Sequence, residues 1–175
     1  MDHITFVEQL QTIPLPPEAY KEAGLDDDYL DEVAERFSVS KRAGANVVSD
    51  DPVVALLNSF DVTKVEIGLI EFDNTATVRG KYTVFGKFEV DRLAIDAGGA
   101  VVLLEETADT VTMQCAADSG RFLDAVIHIG KFLEKRSVDD ALFDDEPANR
   151  VVAGECAALA GGKQYVDFYT MMLGF

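Results

Sequence analysis

The spacing of apolar residues changes twice along this chain, and this change constrains the fold more than any other feature. Apolar residues recur every three to four positions up to about residue 60, at every second position from about residue 64 to 115, and every three to four positions from residue 118 onward. A period near 3.6 is typical of an amphipathic helix, and a period of two of a half-buried strand. The sequence therefore predicts an α+β domain in which helices pack on a sheet.

The first third is predicted to be helical. Four apolar residues lie about one helical turn apart: Leu30, Val33, Ala34 and Phe37. Three acids precede all four, Asp26, Asp27 and Asp28, and carboxylates at the head of a helix stabilise the positive end of its dipole. Residues 53–60 predict another short helix, and residues 38–51 a connecting loop.

The middle third predicts an antiparallel sheet of about four to six strands, with a mixed sheet as the alternative. One strand is predicted to place four residues on its buried face: Tyr82, Val84, Phe88 and Val90. An earlier strand is predicted at Val65, Ile67 and Leu69, with a bulge or strand end where the alternation slips at Ile70. Residues 97–99 form the turn between two later strands, and a last strand ends at Cys115.

The final third returns to the helical period. A helix over about residues 119–135 is predicted to pack four residues on the sheet: Phe122, Val126, Ile129 and Leu133. Residues 137–147 are predicted to be a solvated loop. Residues 149–175 predict a helix, a break at Gly161 and Gly162, and an apolar, aromatic-rich end. A length of 175 residues suits a single domain.

Net charge narrows the choice of partner. The chain has 15 basic and 32 acidic residues, a formal charge of −17, which disfavours nucleic acid and anionic membranes as partners. We expect a neutral or cationic partner. The longest uncharged runs are far shorter than a membrane-spanning helix, and Asp2 and Glu8 interrupt what would be a secretory leader. We therefore expect a cytoplasmic location.

Motifs that carry chemistry are absent. The chain has no serine-nucleophile elbow, phosphate-binding loop, zinc-protease motif or CxxC pair. His3 is expected to be exposed and His128 to be a half-buried, satisfied side chain, while both cysteines are expected to be buried and reduced. The acidic runs lack the spacing of a calcium loop. We therefore expect no catalytic residues, no metal and no cofactor.

Three segments carry a resemblance to a known family. In residues 84–102 a glycine-containing strand leads to a strand that ends in an acid, a glycine turn and a valine-rich return strand. Residues 114–125 resemble the family's entry from its last strand into a Phe-Leu helix, and residues 15–25 its helical start. This pattern resembles the SUKH superfamily over about residues 15–136. Residues 137–175 form a C-terminal extension outside the resemblance.

The resemblance implies a noncatalytic binding domain. Bacterial members of the superfamily typically act as immunity proteins that neutralise polymorphic toxins, and fungal members regulate cell-wall synthesis. The family supplies no catalytic residue. Its strand-turn pattern matches four positions to which we assign a structural role: Gly86, Asp96, Gly98 and Gly99.

Two hypotheses follow. The first is an immunity protein that binds a basic toxin domain through acidic segments at residues 18–35 and 139–146. The expected contact residues are Asp26, Asp27, Asp28, Asp31, Asp139, Asp140, Asp144, Asp145 and Glu146. If these acids only confer solubility, the apolar end at residues 165–175 is the next candidate. The second hypothesis is a small enzyme or cation-binding protein whose carboxylates converge only in the fold.

Overall fold

The computed structural model describes residues 1–44 and 49–174. The helices are α1 (His3–Leu10), α2 (Pro17–Glu22), α3 (Asp27–Arg36), α4 (Pro52–Ser59), α5 (Ser119–Arg136), α6 (Asp140–Phe143), α7 (Glu146–Ala160) and α8 (Val166–Met172), with a 3₁₀ turn at Lys163–Tyr165. The strands are β1 (Ser40–Lys41), β2 (Phe60–Asp61), β3 (Glu66–Ile67), β4 (Ile70–Arg79), β5 (Tyr82–Phe88), β6 (Asp91–Ile95), β7 (Val101–Leu104) and β8 (Val111–Ala116).

Strands β3 to β8 form one six-stranded sheet in chain order, and each strand pairs antiparallel with the next. A separate two-stranded ladder joins β1 to β2. The predicted α+β fold with an antiparallel sheet is therefore confirmed, and short turns between consecutive strands give a meander.

The strand predictions were wrong in two places. The first strand is only β3, because Gly68 turns the chain with a φ of 60° and leaves Leu69 45% exposed. The alternation slips at Ile70 because the longer strand β4 begins there and later bulges between Phe72 and Thr77. Strand β5 ends at Phe88, so Val90 lies exposed in the following turn.

Helix α5 is the central element of the helical layer, as the sequence predicted. The Asp118 side chain caps it by accepting a 2.8 Å hydrogen bond from the backbone N–H of Arg121. Phe122, Val126 and Ile129 are fully buried and Leu133 is partly buried. The Phe122 ring packs edge-on against Phe85 of β5, with ring centroids 5.6 Å apart. This contact joins the helix to the sheet.

The C-terminal segment differs from its prediction. Residues 137–147 are not a loop, since α6 and the start of α7 lie there. Gly161 ends α7 with a φ of 115°, which agrees with the predicted glycine break. Phe168 and Tyr169 of α8 are fully buried, so the aromatic end belongs to the main core rather than to the surface. Phe175 lies outside the described residues.

The first helices follow the predicted periodicity. In α3, Val33 is buried and Leu30 is half-buried, and Phe37 is buried directly after the helix ends. Ala34 is exposed, which differs from its predicted place on the apolar face. Helix α4 matches the helix predicted at residues 53–60. The segment predicted as a loop at residues 38–51 contains β1, and its residues 45–48 lie outside the described part of the chain.

Candidate partner-binding surface

The N-terminal acids lie at the start of α3. Asp26 caps the helix by accepting a 3.0 Å hydrogen bond from the backbone N–H of Tyr29, and Asp27 and Asp28 occupy the first turn. Asp27 also pairs with Lys21 at 3.0 Å. Asp31 follows one turn later, and all four carboxylates are exposed. These acids stabilise the helix and still present negative charge to solvent.

Two of the C-terminal acids, Asp139 and Asp145, cap the N-termini of α6 and α7. Asp139 accepts hydrogen bonds from two backbone N–H groups at the start of α6, and Asp145 accepts one from Ala148 at the start of α7. Glu146 pairs with Arg150 at 2.6 Å. Asp140 lies in the first turn of α6, and Asp144 at its end. The caps explain why this acidic run folds into helices.

The two acidic segments border different cavities. The more apolar one, named here the N-terminal groove, has a volume of about 620 Å³ and lies between α1, the proline-containing connection, α2 and α3. Among the residues that line it are Val7, Leu15, Leu30, Val33, Phe37 and Val39. A second cavity of about 650 Å³ lies beside Asp144 and Glu146. The structure therefore associates each predicted acidic segment with a separate concave surface.

Tyr20 lines the N-terminal groove and belongs to a buried polar network behind it. The Tyr20 hydroxyl donates a 2.6 Å hydrogen bond to Glu134 of α5 and accepts one of 2.9 Å from the backbone N–H of Leu15. Arg36 approaches the other carboxylate oxygen of Glu134 at 3.9 Å. Burial is the main cause that raises the pKa of Tyr20. The hydroxyl therefore stays protonated and is committed to the fold rather than to chemistry.

Exposed apolar side chains mark the second cavity. Phe143 and Leu69 are both exposed at its edge, and the guanidinium of Arg136 lies 4.5 Å from the centre of the Phe143 ring. Arg136 itself is buried and donates a 3.1 Å hydrogen bond to the carbonyl of Leu173. The cation–π contact and this hydrogen bond hold α6 against the end of α8.

Of the four positions of the strand-turn pattern, Gly86 lies in β5 and the other three lie in the turn between β6 and β7. Asp96 holds the β6–β7 turn, since its carboxylate accepts hydrogen bonds from the backbone N–H groups of Gly98 at 2.7 Å and Ala100 at 3.0 Å. Gly99 has a φ of 88°, which favours glycine. Gly86 lies where β5 passes β4, and a side chain there would collide with the carbonyl oxygen of Glu71.

The two histidines are partly buried and the two cysteines are fully buried. His128 forms a 2.8 Å contact with Glu155 on the surface, and His3 is half-buried near the Phe60 ring rather than fully exposed as expected. Cys115 and Cys156 are buried and free. Within residues 1–44 and 49–174, no three His, Cys, Asp or Glu side chains form a group that could hold a metal ion.

Comparison with family models, with curated proteins and with solved structures finds no match to this chain. Among the described residues, no helix has both the length and the apolar character needed to cross a membrane.

Sequence reasoning missed the N-terminal groove and the role of Glu134. The available signals were weak: three prolines at positions 14, 16 and 17, and the apolar stripe of α3. Neither pattern indicates that Tyr20 and Glu134 meet. Both acidic segments were found because charge is visible in composition without any knowledge of the fold.

Proposed function

We propose that this chain is a noncatalytic binding protein of the SUKH type that neutralises a cognate bacterial toxin by direct contact with a basic domain. The observation that carries the proposal is the display of unbalanced acidic charge on the surface. Residues 18–35 contain eight acids against one lysine, and the acids predicted as contacts there are all exposed. The proposal specifies the toxin only as a protein with a basic domain that binds this chain.

A net negative charge of this size mainly affects the rate at which the two proteins associate. A formal charge of −17 attracts a cationic protein over about 8 Å at physiological salt and speeds association more than it slows dissociation. Self-repulsion destabilises the folded state, so a charge this large needs a benefit. Steering of a basic toxin provides one.

The first test is biological. The product of the gene beside this one is induced in bacteria with and without this chain, and growth is followed. We expect the neighbour to arrest growth and this chain to restore it. Arrest that persists despite normal levels of this chain, together with no binding between the purified proteins, would contradict the proposal.

The second test separates steering from solubility. Association of the purified pair is measured at about 20 mM and about 150 mM salt, and we expect the association rate to fall about tenfold while dissociation changes less. Asp139, Asp140, Asp144 and Asp145 are replaced by asparagine in one variant, and Asp26, Asp27 and Asp28 in another. Asparagine is also a good N-cap, so these variants remove charge and keep the helix starts. Association rates that ignore both salt and these substitutions would show that the acids only confer solubility.

A further inference from the structure

The floor of the N-terminal groove is apolar and continuous with the core. Val33 of α3 and Phe37 directly after it are buried beneath the groove, and Val7 of α1, Leu15 and Leu30 form half-buried walls. Its volume of about 620 Å³ lies in the range of cavities that enclose ligands, about 300–1,000 Å³. The groove can therefore accept several apolar side chains at once.

Tyr20 and Gln11 of the lining already have hydrogen-bond partners inside the protein. The Tyr20 hydroxyl is engaged with Glu134 and Leu15, and the side-chain amide of Gln11 donates a 3.0 Å hydrogen bond to the carbonyl of Phe37. A polar small molecule would find few free groups to fix its orientation. The lining instead favours an occupant that contributes apolar contacts.

The rim of the groove is acidic. Asp27 and Asp31 lie seven and three residues before Ala34, which lines the groove, so helical spacing places them along the same side of α3. On α1, Glu8 lies three residues before Gln11, another lining residue, and is also exposed. Lys21 offsets only Asp27. Cations placed beside an apolar face would complement this rim.

We propose that the N-terminal groove is the docking site for an amphipathic helix of the partner, which inserts apolar side chains between α1 and α3 and sets lysine or arginine against Glu8, Asp27 and Asp31. This assignment rests on the proposed function, for which it supplies the contact surface. A helix is favoured over an extended strand because three helices, α1, α2 and α3, border the groove and no strand residue is among its lining.

The probe is a fluorescein-labelled peptide of about 18 residues, all leucine or lysine, in which the leucines are spaced to form one apolar face of a helix. Its binding to the full chain is measured by fluorescence anisotropy at about 150 mM salt. Two peptides serve as controls: one with the same residues reordered so that no helical face is apolar, and one with glutamate in place of lysine. We expect only the amphipathic leucine–lysine peptide to bind.

Two pairs of variants locate the binding. Ala34→Arg places a bulky cation in the groove, and Ala158→Arg makes the same change at an exposed position of α7. We expect Ala34→Arg to weaken peptide binding by more than about tenfold and Ala158→Arg by less than about twofold. Asp27→Asn with Asp31→Asn should weaken it several-fold, and Asp140→Asn with Asp144→Asn should not. Thermal unfolding checks that each variant is folded.

Several outcomes would overturn the groove assignment: no binding of the amphipathic peptide, equal binding of the reordered peptide, or equal loss in Ala34→Arg and Ala158→Arg. The neighbouring gene product is then measured with the same variants. If it binds wild type and Ala34→Arg equally well, the groove is wrong and the proposed function stands. If the peptide binds in the groove and the neighbour binds nowhere, the groove assignment stands and the proposed function fails.

Discussion

Tyr20 and Glu134 are 114 residues apart in sequence and share a 2.6 Å hydrogen bond in the interior. Glu134 is only 4% exposed, and its second oxygen lies 3.9 Å from Arg36. One buried carboxylate therefore connects α2 and α3 to α5. This connection fixes the wall of the N-terminal groove, so the shape of the proposed docking site depends on a residue that lies outside its lining.

Replacement of Glu134 by alanine should destabilise the protein strongly. The Tyr20 hydroxyl would lose its acceptor and Arg36 its carboxylate, and removal of one partner from a buried polar pair costs about 3 kcal/mol. Urea unfolding measures the change. Glu155→Ala is the control, because that exposed glutamate pairs only with His128 and should cost less than about 1 kcal/mol. Equal losses in the two variants would contradict a structural role for Glu134.

Val126→Asp tests the packing of α5 against the sheet. Val126 is fully buried, so the variant introduces an unpaired charge into the core and should lower the free energy of unfolding by several kcal/mol, about 3 or more. Val151→Asp is the matched control at a position of α7 that is 61% exposed, where we expect a change within about 0.5 kcal/mol. Thermal unfolding that is the same for both variants would contradict this packing.

Gly86→Ala should be harmful although its backbone angles permit a side chain. The added methyl group would meet the Glu71 carbonyl across the β4–β5 pair, so the strands must separate, at a cost of about 1–3 kcal/mol. Gly154→Ala in α7 meets nothing within 4 Å and should stabilise by about 0.5–1 kcal/mol. Differential scanning calorimetry should therefore show shifts of opposite sign.

The Cys115 thiol should resist labelling in the native protein. Its side chain is fully buried on β8, and burial raises its pKa well above the ordinary value, so little reactive thiolate is present. A disulfide reagent at about pH 8 is expected to modify Cys115 only after urea unfolding. Peptide mapping distinguishes Cys115 from Cys156, and rapid native labelling of Cys115 would contradict its placement.

Stability should decline in alkaline solution. Burial raises the pKa of Cys115, raises that of Cys156 to about 12 and raises that of Tyr169. The unfolded chain then loses these protons first as pH rises, so their contribution is complete below about pH 8 and is lost progressively above it. Urea unfolding at pH values between about 7 and 10.5 measures the decline. Cys156→Ala should show a shallower decline, and a slope that matches wild type would contradict this assignment.

The sequence alone predicted the elements whose pattern lies within one continuous and regular segment. The stripe on α5 repeats over several turns, so its period distinguishes a helix from a strand. The β6–β7 turn is equally local, because Asp96 and Gly99 lie within four residues and hold the turn themselves. The order of helices and strands follows from such signals, and so does the α+β class.

Short or interrupted elements were missed. Helix α6 has four residues, too few to show a period, and its capping acids resemble a solvated loop in the sequence. Strand β4 was missed because the bulge between Phe72 and Thr77 breaks the alternation on which the prediction depends.

Tertiary structure alone decided the groove and the fate of the aromatic end. Phe168 and Tyr169 could have formed an apolar surface, but α7 returns the chain so that α8 packs on the core and buries both rings. Glu134 holds Tyr20, one of the residues that line the groove, across 114 residues of sequence. Charge and period are properties of neighbouring residues, whereas a cavity is defined by side chains from distant segments, whose meeting depends on the packing of the whole domain.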